Sequence, residues 1–256
     1  MRFANGHSTK DSSEGSVRIT STSARKEPAV VPHLKPGVEA GNDFLAFSTE
    51  VGQGFSAAPY PKNEAERVRF IKSLKAVGTL ARGGLYDAIT SLAASIFHMP
   101  LCFFTLVDET RQYFVSEHGM EIGSTDRSCS FCSWMLAPED EHTLVVHDAE
   151  SDPRFRTNPL VIGPPYIRFY FGAPVVIRAG SVEGLVKDTR IGALCILDSK
   201  AHSVDAVSAE QRRVLQELAN ALAKQIAVTH AGKLASFALA ASRSEAGGAC
   251  ARASAR

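Results

Sequence analysis

Two cysteines three positions apart are the residues of this sequence best suited to chemistry. Cys129 and Cys132 lie in the stretch RSCSFCSWML, beside Trp134, the only tryptophan of the chain. A Cys-x-x-Cys motif forms half of a common type of zinc site, which needs two further ligands. Because the sequence contains no second Cys-x-x-Cys motif, we predict no metal site here.

A thiol redox pair and the wall of a binding pocket are the two other interpretations of this stretch. In a short helix, side chains three positions apart lie about 300° apart around the axis, which permits a disulfide only if the geometry is suitable. A buried cysteine otherwise packs as a small apolar group. The residue types alone leave both interpretations open.

The common catalytic motifs are missing from the sequence. There is no nucleophile elbow, no His-Glu-x-x-His, no phosphate-binding P-loop and no glycine-rich dinucleotide fingerprint. The acidic residues Glu139, Asp140 and Glu141 share one polar loop, APEDEH, and a solvated loop explains them. We therefore expect a protein without enzymatic activity.

Composition predicts one cytoplasmic globular domain. The chain has 256 residues, 45% apolar content and a net charge of +1, so it can bury one core and carries no bulk charge that would attract nucleic acid. No window approaches the roughly 20 apolar residues of a membrane span. Five cysteines, an odd number, without a secretory signal favour reduced thiols in the cytoplasm.

The character of the sequence changes twice along the chain. Residues 1–61 are rich in serine, glycine, proline and charge and predict a flexible arm. Residues 231–256 are small and basic and predict a flexible tail. The folded domain is expected at residues 62–230, a normal size for one domain.

Periodicity inside that domain predicts helices at both ends and strands between them. Helical spacing occurs around residues 63–77 and 85–96, and again after the capping box formed by Ser208 and Gln211. PLCFFTLVD is apolar on both alternating faces, as in a strand covered on both sides, and RQYFVSEHG follows as its hairpin partner. Further strands are predicted in HTLVVHD, RFYFGAPVVIRAG and TRIGALCILDSKA. This order indicates an α+β fold with an antiparallel sheet and helices on one face.

Residues 64–230 resemble the GAF domain family, a family of cytosolic sensory domains. The most specific matching stretches are DAESDPRF, IRFYFGAPV and GALCILD. The resemblance implies a sheet of about six antiparallel strands, with a small-molecule pocket between the sheet and the loops and helices that cover its other face. It also implies pairing through the terminal helices.

The resemblance places several side chains around that pocket. Asp148 and Asp152 also suit ordinary turn and capping roles, and Arg168 could pair with Asp152 or point at a ligand anion. Strand alternation puts Tyr170 and Phe171 on opposite faces, so one of them belongs to the core. The candidate pocket residues are Phe131, Cys132, Trp134, Asp148, Asp152, Arg168, Phe169, Tyr170 and Phe171.

The predicted function is a non-enzymatic sensory domain that binds a small cytosolic ligand and signals through its terminal helices or a partner protein. Family members that attach a bilin use a cysteine commonly followed by histidine, whereas Cys132 is followed by Ser133, so no cofactor is predicted. Two alternatives remain: an enzyme similar to free methionine-R-sulfoxide reductase that uses Cys129 and Cys132, and a ligand-free dimerisation scaffold. A homodimer is the expected assembly, with neither nucleic acid nor membrane as a partner.

Overall fold

The computed structural model describes residues 55–76, 79–80, 83–137 and 143–253. Residues 1–54, most of the predicted arm, lie outside them. The helices are α1 (Glu64–Ala76), α2 (Leu85–Phe97), α3 (Pro159–Ile162) and α4 (Ala209–Ala253), with three short 3₁₀ turns at Arg127–Cys129, Cys132–Met135 and Val204–Ala206. The strands are β1 (Leu101–Val107), β2 (Arg111–His118), β3 (Ser124–Asp126), β4 (Leu144–Val146), β5 (Phe169–Ile177) and β6 (Thr189–Asp198).

The six strands form one antiparallel sheet in the order β3-β2-β1-β6-β5-β4. Sequence neighbours β1 and β2 pair as a hairpin, and so do β5 and β6, as their spacing predicts. The central pairing of β1 with β6 joins the two halves of the chain. The predicted α+β fold with a six-stranded antiparallel sheet is therefore confirmed.

The sheet separates two hydrophobic cores. All seven residues of β1 are buried, because α1, α2 and α4 cover one face and the turns between β2 and β5 cover the other. Phe104 of β1 contributes to the helix side and Phe103 to the turn side. An uninterrupted apolar run is the sequence signature of a strand covered on both faces.

A buried arginine attaches α1 to the edge of the sheet. The Arg67 side chain is 0% exposed, and its guanidinium donates hydrogen bonds to the carbonyls of Val107 and Asp108 where β1 ends. Glu64 pairs with Arg67 at 2.7 Å and also with Arg127, whose side chain is 5% exposed. The carboxylate of Glu64 thus compensates two buried cations.

Helix α4 runs farther than its sequence predicts. It opens with the predicted capping box, in which Gln211 N donates to Ser208 Oγ at 3.1 Å and Ser208 N donates to Gln211 Oε1 at 2.8 Å. It does not end near residue 230 but continues to Ala253, because its alanine-rich continuation has high helix propensity. Within the described ranges, no helix combines the length and apolarity of a membrane span.

The predicted dimer surface on α4 needs a correction. Pairing through the terminal helices was expected, but the small residues Ala219, Ala223 and Ala227 of α4 are buried against the sheet and are closed to a second helix. Phe70 of α1 is buried as well, with its ring edge-on to His230 at 5.7 Å. These small residues let α4 approach β5 closely, so they belong to the core.

Replacing Glu64 with glutamine should lower the free energy of unfolding by about 3 kcal/mol, since it leaves the Arg67 and Arg127 cations uncompensated. Burial alone would raise the pKa of Glu64, but the hydrogen bonds and charges of the two arginines hold it below its usual value. The stabilisation is therefore present above the unfolded pKa near 4.3 and is lost as pH falls through the lower folded pKa.

Glu109→Gln is the matched control for this prediction. Glu109 pairs with Lys72 at 2.9 Å, but both side chains are more than half exposed, so its loss should cost less than about 1 kcal/mol. Urea unfolding of both variants between pH 7 and pH 3 measures the difference. Equal effects of the two substitutions at pH 7 would contradict the role given to Glu64.

Candidate functional site

A small cavity lies between the turn side of the sheet and the segments that cover it. Its volume is about 30 Å³, enough for at least one water-sized molecule. Five strands of the sheet contribute lining residues, and connecting segments contribute the rest. The lining residues are Phe103, Gln112, Phe114, Ile122, Thr125, Phe131, Cys132, Leu160, Pro165, Ile167, Tyr170, Cys195 and Leu197.

Strand register brings a phenol and two thiols together in one wall. Gly172 of β5 is paired with Cys195 of β6, and Tyr170 shares a face with Gly172 because it lies two residues away on the same strand. A Cβ atom at Gly172 would lie 2.5 Å from Tyr170 Oη. The missing side chain therefore lets the phenol lie along the strand, with its hydroxyl 3.2 Å from Cys132 Sγ.

The sulfur of Cys132 is the centre of this cluster. It lies 3.8 Å from Cys195 Sγ and 3.5 Å from Gln112 Nε2, and Tyr170 donates to it as well. Burial raises the pKa of the Cys132 thiol, but its side-chain hydrogen bonds with Cys195, Thr105, Tyr170 and Gln112 outweigh burial and lower it. Burial and the Cys132 sulfur raise the pKa values of Tyr170 and Cys195 well above their usual ranges. Cys132 is thus the thiol of this pair best suited to ionise.

Cys129 does not belong to this cluster, although the reductase alternative paired it with Cys132. Two separate 3₁₀ turns hold the two cysteines, with Ser130 and Phe131 between them. The Cys129 thiol donates to the carbonyl of Asp126 at 3.1 Å, and burial together with the nearby Asp126 charge raises its pKa to about 12. The thiol neighbour of Cys132 is Cys195, which is distant in sequence.

Two polar side chains in the cavity wall were missed by the sequence analysis. Gln112 and Thr125 lie on the paired strands β2 and β3, directly opposite one another. Thr125 Oγ1 is buried and has no hydrogen-bond partner among the described residues. A glutamine inside the apolar alternation of RQYFV was the available signal for Gln112, whereas no signal pointed to Thr125.

Phe169 and Phe171 lie outside the cavity, contrary to the expectation. Both face the helix side of the sheet, where Phe171 meets Phe97 at 5.7 Å and Phe169 meets His202 at 4.3 Å. Tyr170 faces the cavity, as strand alternation requires once one face is assigned. Of the three predicted aromatic residues in β5, Tyr170 alone therefore remains at the site.

Phe131 and Trp134 both contact the ring of Phe155. Phe131 lines the cavity and stacks on Phe155 at 4.0 Å. Trp134 contacts Phe155 edge-on at 5.7 Å between ring centroids, with the Arg154 guanidinium 5.5 Å from the Trp134 ring. Trp134 therefore contacts Phe155 and does not line the cavity.

Asp148 and Asp152 have the turn roles that the sequence also allowed. Asp148 accepts hydrogen bonds from Glu150 N and from the Ser151 hydroxyl, and Asp152 pairs with Arg154 at 2.6 Å. Neither carboxylate is part of the cavity lining.

Arg168 forms no ion pair with Asp152 in the described structure and does not line the cavity. It donates to the carbonyls of Val161 and Ile167 at 2.8 and 3.2 Å, and its Nε lies 3.3 Å from Glu150 Oε2. These contacts fasten the segment after α3 to the start of β5.

His147, which lies near the cysteines in the sequence, is on the other side of the sheet. His147 follows His142 at a spacing that occurs in zinc sites, although His142 lies outside the described residues. The His147 ring packs against Phe169 at 6.4 Å on the helix side of the sheet. It therefore points away from Cys132, which lies on the other side.

Comparison with known proteins identifies relatives of the folded part. The family model for the GAF domain matches residues 82–226. A cyclic di-GMP phosphodiesterase of Pseudomonas aeruginosa is 37% identical over 142 residues, which make up 55% of this chain and 22% of the relative. The matched segment thus spans about a fifth of that relative's length.

Solved structures with a similar arrangement are more distant in sequence. The GAF domain of an Acinetobacter phosphoenolpyruvate-protein phosphotransferase is 19% identical, with a TM-score of 0.44, over 66% of this chain and 96% of that chain. A free methionine-R-sulfoxide reductase from Neisseria meningitidis is 15% identical, with a TM-score of 0.43, over 70% and 96%.

Gly172→Ala should lower the free energy of unfolding by about 1–3 kcal/mol, because the new methyl overlaps both Tyr170 and Met135. Gly232→Ala is the matched control, since nothing lies within 4 Å of its added Cβ on α4. That helical substitution should stabilise by up to about 1 kcal/mol. Denaturant unfolding measures both, and a neutral Gly172→Ala would contradict the placement of the Tyr170 ring.

Proposed function

The chain belongs to the GAF domain family, and on that premise we propose that it is a sensory domain without catalytic activity. In this proposal a small ligand binds in the cavity on the turn side of the sheet, and α4 carries the signal onward. The described lining residues offer thiols, a phenol, an amide and a hydroxyl. None of them is a carboxylate or imidazole, the usual general bases.

The observation that carries the proposal is the unpartnered hydroxyl of Thr125. A buried polar group without a hydrogen bond costs about 1–3 kcal/mol, and the Oγ1 atom of Thr125, a residue that lines the cavity, is in that condition. Most buried polar groups in proteins are paired, so an exception calls for an explanation. A ligand that hydrogen-bonds to Thr125 supplies one.

The cavity favours a neutral and compact ligand. None of its described lining residues is charged, and Arg190, the arginine of β6 nearest to the Cys132–Met135 turn, donates to the carbonyls of Met135 and Ala137 at 2.9 and 2.8 Å. A phosphate group would therefore enter without a cation to pair with.

Strand β5 connects the cavity to α4. Tyr170 lines the cavity from one face of β5, while α4 packs on the opposite face through Leu215, Leu222 and Ile226. Gln216 of α4 also donates to the carbonyl of Pro174 in the same strand at 3.2 Å. A ligand that shifts Tyr170 would thus move the strand on which α4 packs.

Thr125→Val should stabilise the ligand-free protein by about 1–3 kcal/mol, because it removes the unpartnered hydroxyl at nearly constant shape. The same variant should lose the thermal shift that a bound ligand gives the wild type, which amounts to about 2.7 kcal/mol at 100 times the dissociation constant. Melting curves of both proteins against a panel of cyclic nucleotides, amino acids, tetrapyrroles and small neutral compounds measure this.

Thr90→Val serves as the matched control. Thr90 is equally buried, but its hydroxyl donates to the carbonyl of Tyr86 at 2.9 Å on the helix side, so its loss should destabilise and leave ligand shifts unchanged. A panel without any hit would favour the scaffold alternative. Turnover of methionine sulfoxide with a thiol reductant would contradict the proposed lack of catalysis.

We also propose that the protein forms a homodimer through α4. The last buried residue described on this helix is His230, although the helix continues to Ala253. Long helices gain most of their stability from packing of one face, and the exposed apolar side chains Val228 and Leu239 lie only about 20° apart around the helix axis. A second copy of the same helix matches such a surface.

Val228→Glu combined with Leu239→Glu should shift the monomer–dimer equilibrium at least tenfold toward monomer, since both side chains are more than half exposed and each charge would be buried in the dimer. Sedimentation equilibrium across a wide concentration range measures the effect. Ala221 is also exposed on α4 but lies closer to the folded domain. The variant Ala221→Glu tests whether the dimer contact extends to that part of the helix. A wild type that stays monomeric at high micromolar concentration would refute the dimer.

A further inference from the structure

Two buried thiols face each other across the turn side of the sheet. Cys132 Sγ and Cys195 Sγ are 3.8 Å apart, and both residues are 1% exposed. Each also lines the cavity. A disulfide has a sulfur–sulfur distance of about 2.05 Å, so the two sulfurs must approach by less than about 2 Å.

We propose that Cys132 and Cys195 are a redox-active pair that a small hydroperoxide oxidises to a reversible disulfide. The cavity of about 30 Å³ beside both sulfurs is large enough for a small hydroperoxide. It is too small for a bulkier oxidant such as a disulfide of a larger thiol. This inference concerns the thiols alone and does not depend on ligand binding through Thr125.

The chemistry starts at Cys132. Its ionised sulfur attacks one peroxide oxygen, the oxygen–oxygen bond breaks, and the proton released by the Cys132 thiol ends on the departing oxygen as water or an alcohol. Cys132 is then a sulfenic acid. Cys195 sulfur attacks Cys132 sulfur, the sulfur–oxygen bond breaks, and the hydroxyl leaves as water with the Cys195 proton. The two thiols lose two electrons, which reduce the peroxide.

The neighbouring donors determine which thiol reacts first. The Tyr170 hydroxyl at 3.2 Å and the Gln112 amide at 3.5 Å both point at Cys132 Sγ, and hydrogen bonds to sulfur favour its ionised form. Cys195 instead donates to the carbonyl of Phe103 at 3.6 Å, which keeps its proton in place. Thiolate character governs reactivity with peroxide.

A disulfide at this position would alter the cavity itself. Cys132 begins the Cys132–Met135 turn, whereas Cys195 lies in the middle of β6. The bond would draw that turn onto the sheet and remove Cys132 Sγ as an acceptor for Tyr170. Oxidation therefore acts on the strand that supports α4, by a route separate from ligand binding.

Peptide mapping of the full chain tests the proposal without any substitution. After treatment with equimolar hydrogen peroxide, alkylation and trypsin, we expect a linked pair of peptides, residues 128–154 and 191–200. Dithiothreitol should separate them and restore two free thiols. Cys132 and Cys195 that remain fully alkylated after a tenfold excess of peroxide, with the protein still folded, would overturn the proposal.

Single variants assign the linkage and the order of events. Residues 128–154 hold both Cys129 and Cys132, so Cys129→Ser must leave the linked peptides intact, and loss of the link in this variant would refute the assignment. Cys195→Ser should leave a sulfenic acid at Cys132 that a dimedone reagent traps. Tyr170→Phe should move the pH midpoint of the oxidation rate upward, because it removes a hydrogen bond that favours the ionised sulfur, an effect that loss of packing alone would not produce.

Discussion

Burial of the central strands on both faces is the constraint on which this structure depends. Because β1, β5 and β6 are covered on both sides, each side chain has only two environments available, and its position in the alternation selects one of them. Phe169 and Phe171 thus complete the core under the helices while Tyr170 enters the cavity wall. A shift of β5 by one residue would exchange these roles, so the long pairing with β6 protects the site as well as the fold.

The fold was largely readable from the sequence because its signals are local. The doubly apolar run of β1, the hairpin spacing after it and the capping box at Ser208 each involve a few adjacent residues, and the structure contains all three. The far end of α4 was the exception. Its small residues also suit an irregular tail, and nothing within that segment decides between tail and helix without the preceding turns to extend it.

The site could not be read in the same way because its members meet only through strand register. Cys132 is three residues from Cys129 but 63 from Cys195, and spacing along the chain favours the wrong neighbour. The same applies to Arg168, whose partner Glu150 lies in a turn that no periodic pattern positions. Charges and thiols were recognised as chemically capable residues, but their partners depended on which strands lie side by side in the order β3-β2-β1-β6-β5-β4.

The length of α4 has a mechanical consequence. Residues 231–253 continue the helix beyond His230, the last of its buried residues described, and at 1.5 Å per residue they form a rod about 34 Å long. A rod held at one end amplifies angular motion: a tilt of about 5° where α4 rests on β5 displaces the far end by about 3 Å, as simple trigonometry on that length gives. Small rearrangements around Tyr170 are thereby converted into displacements of about the width of an atom at the far end of α4.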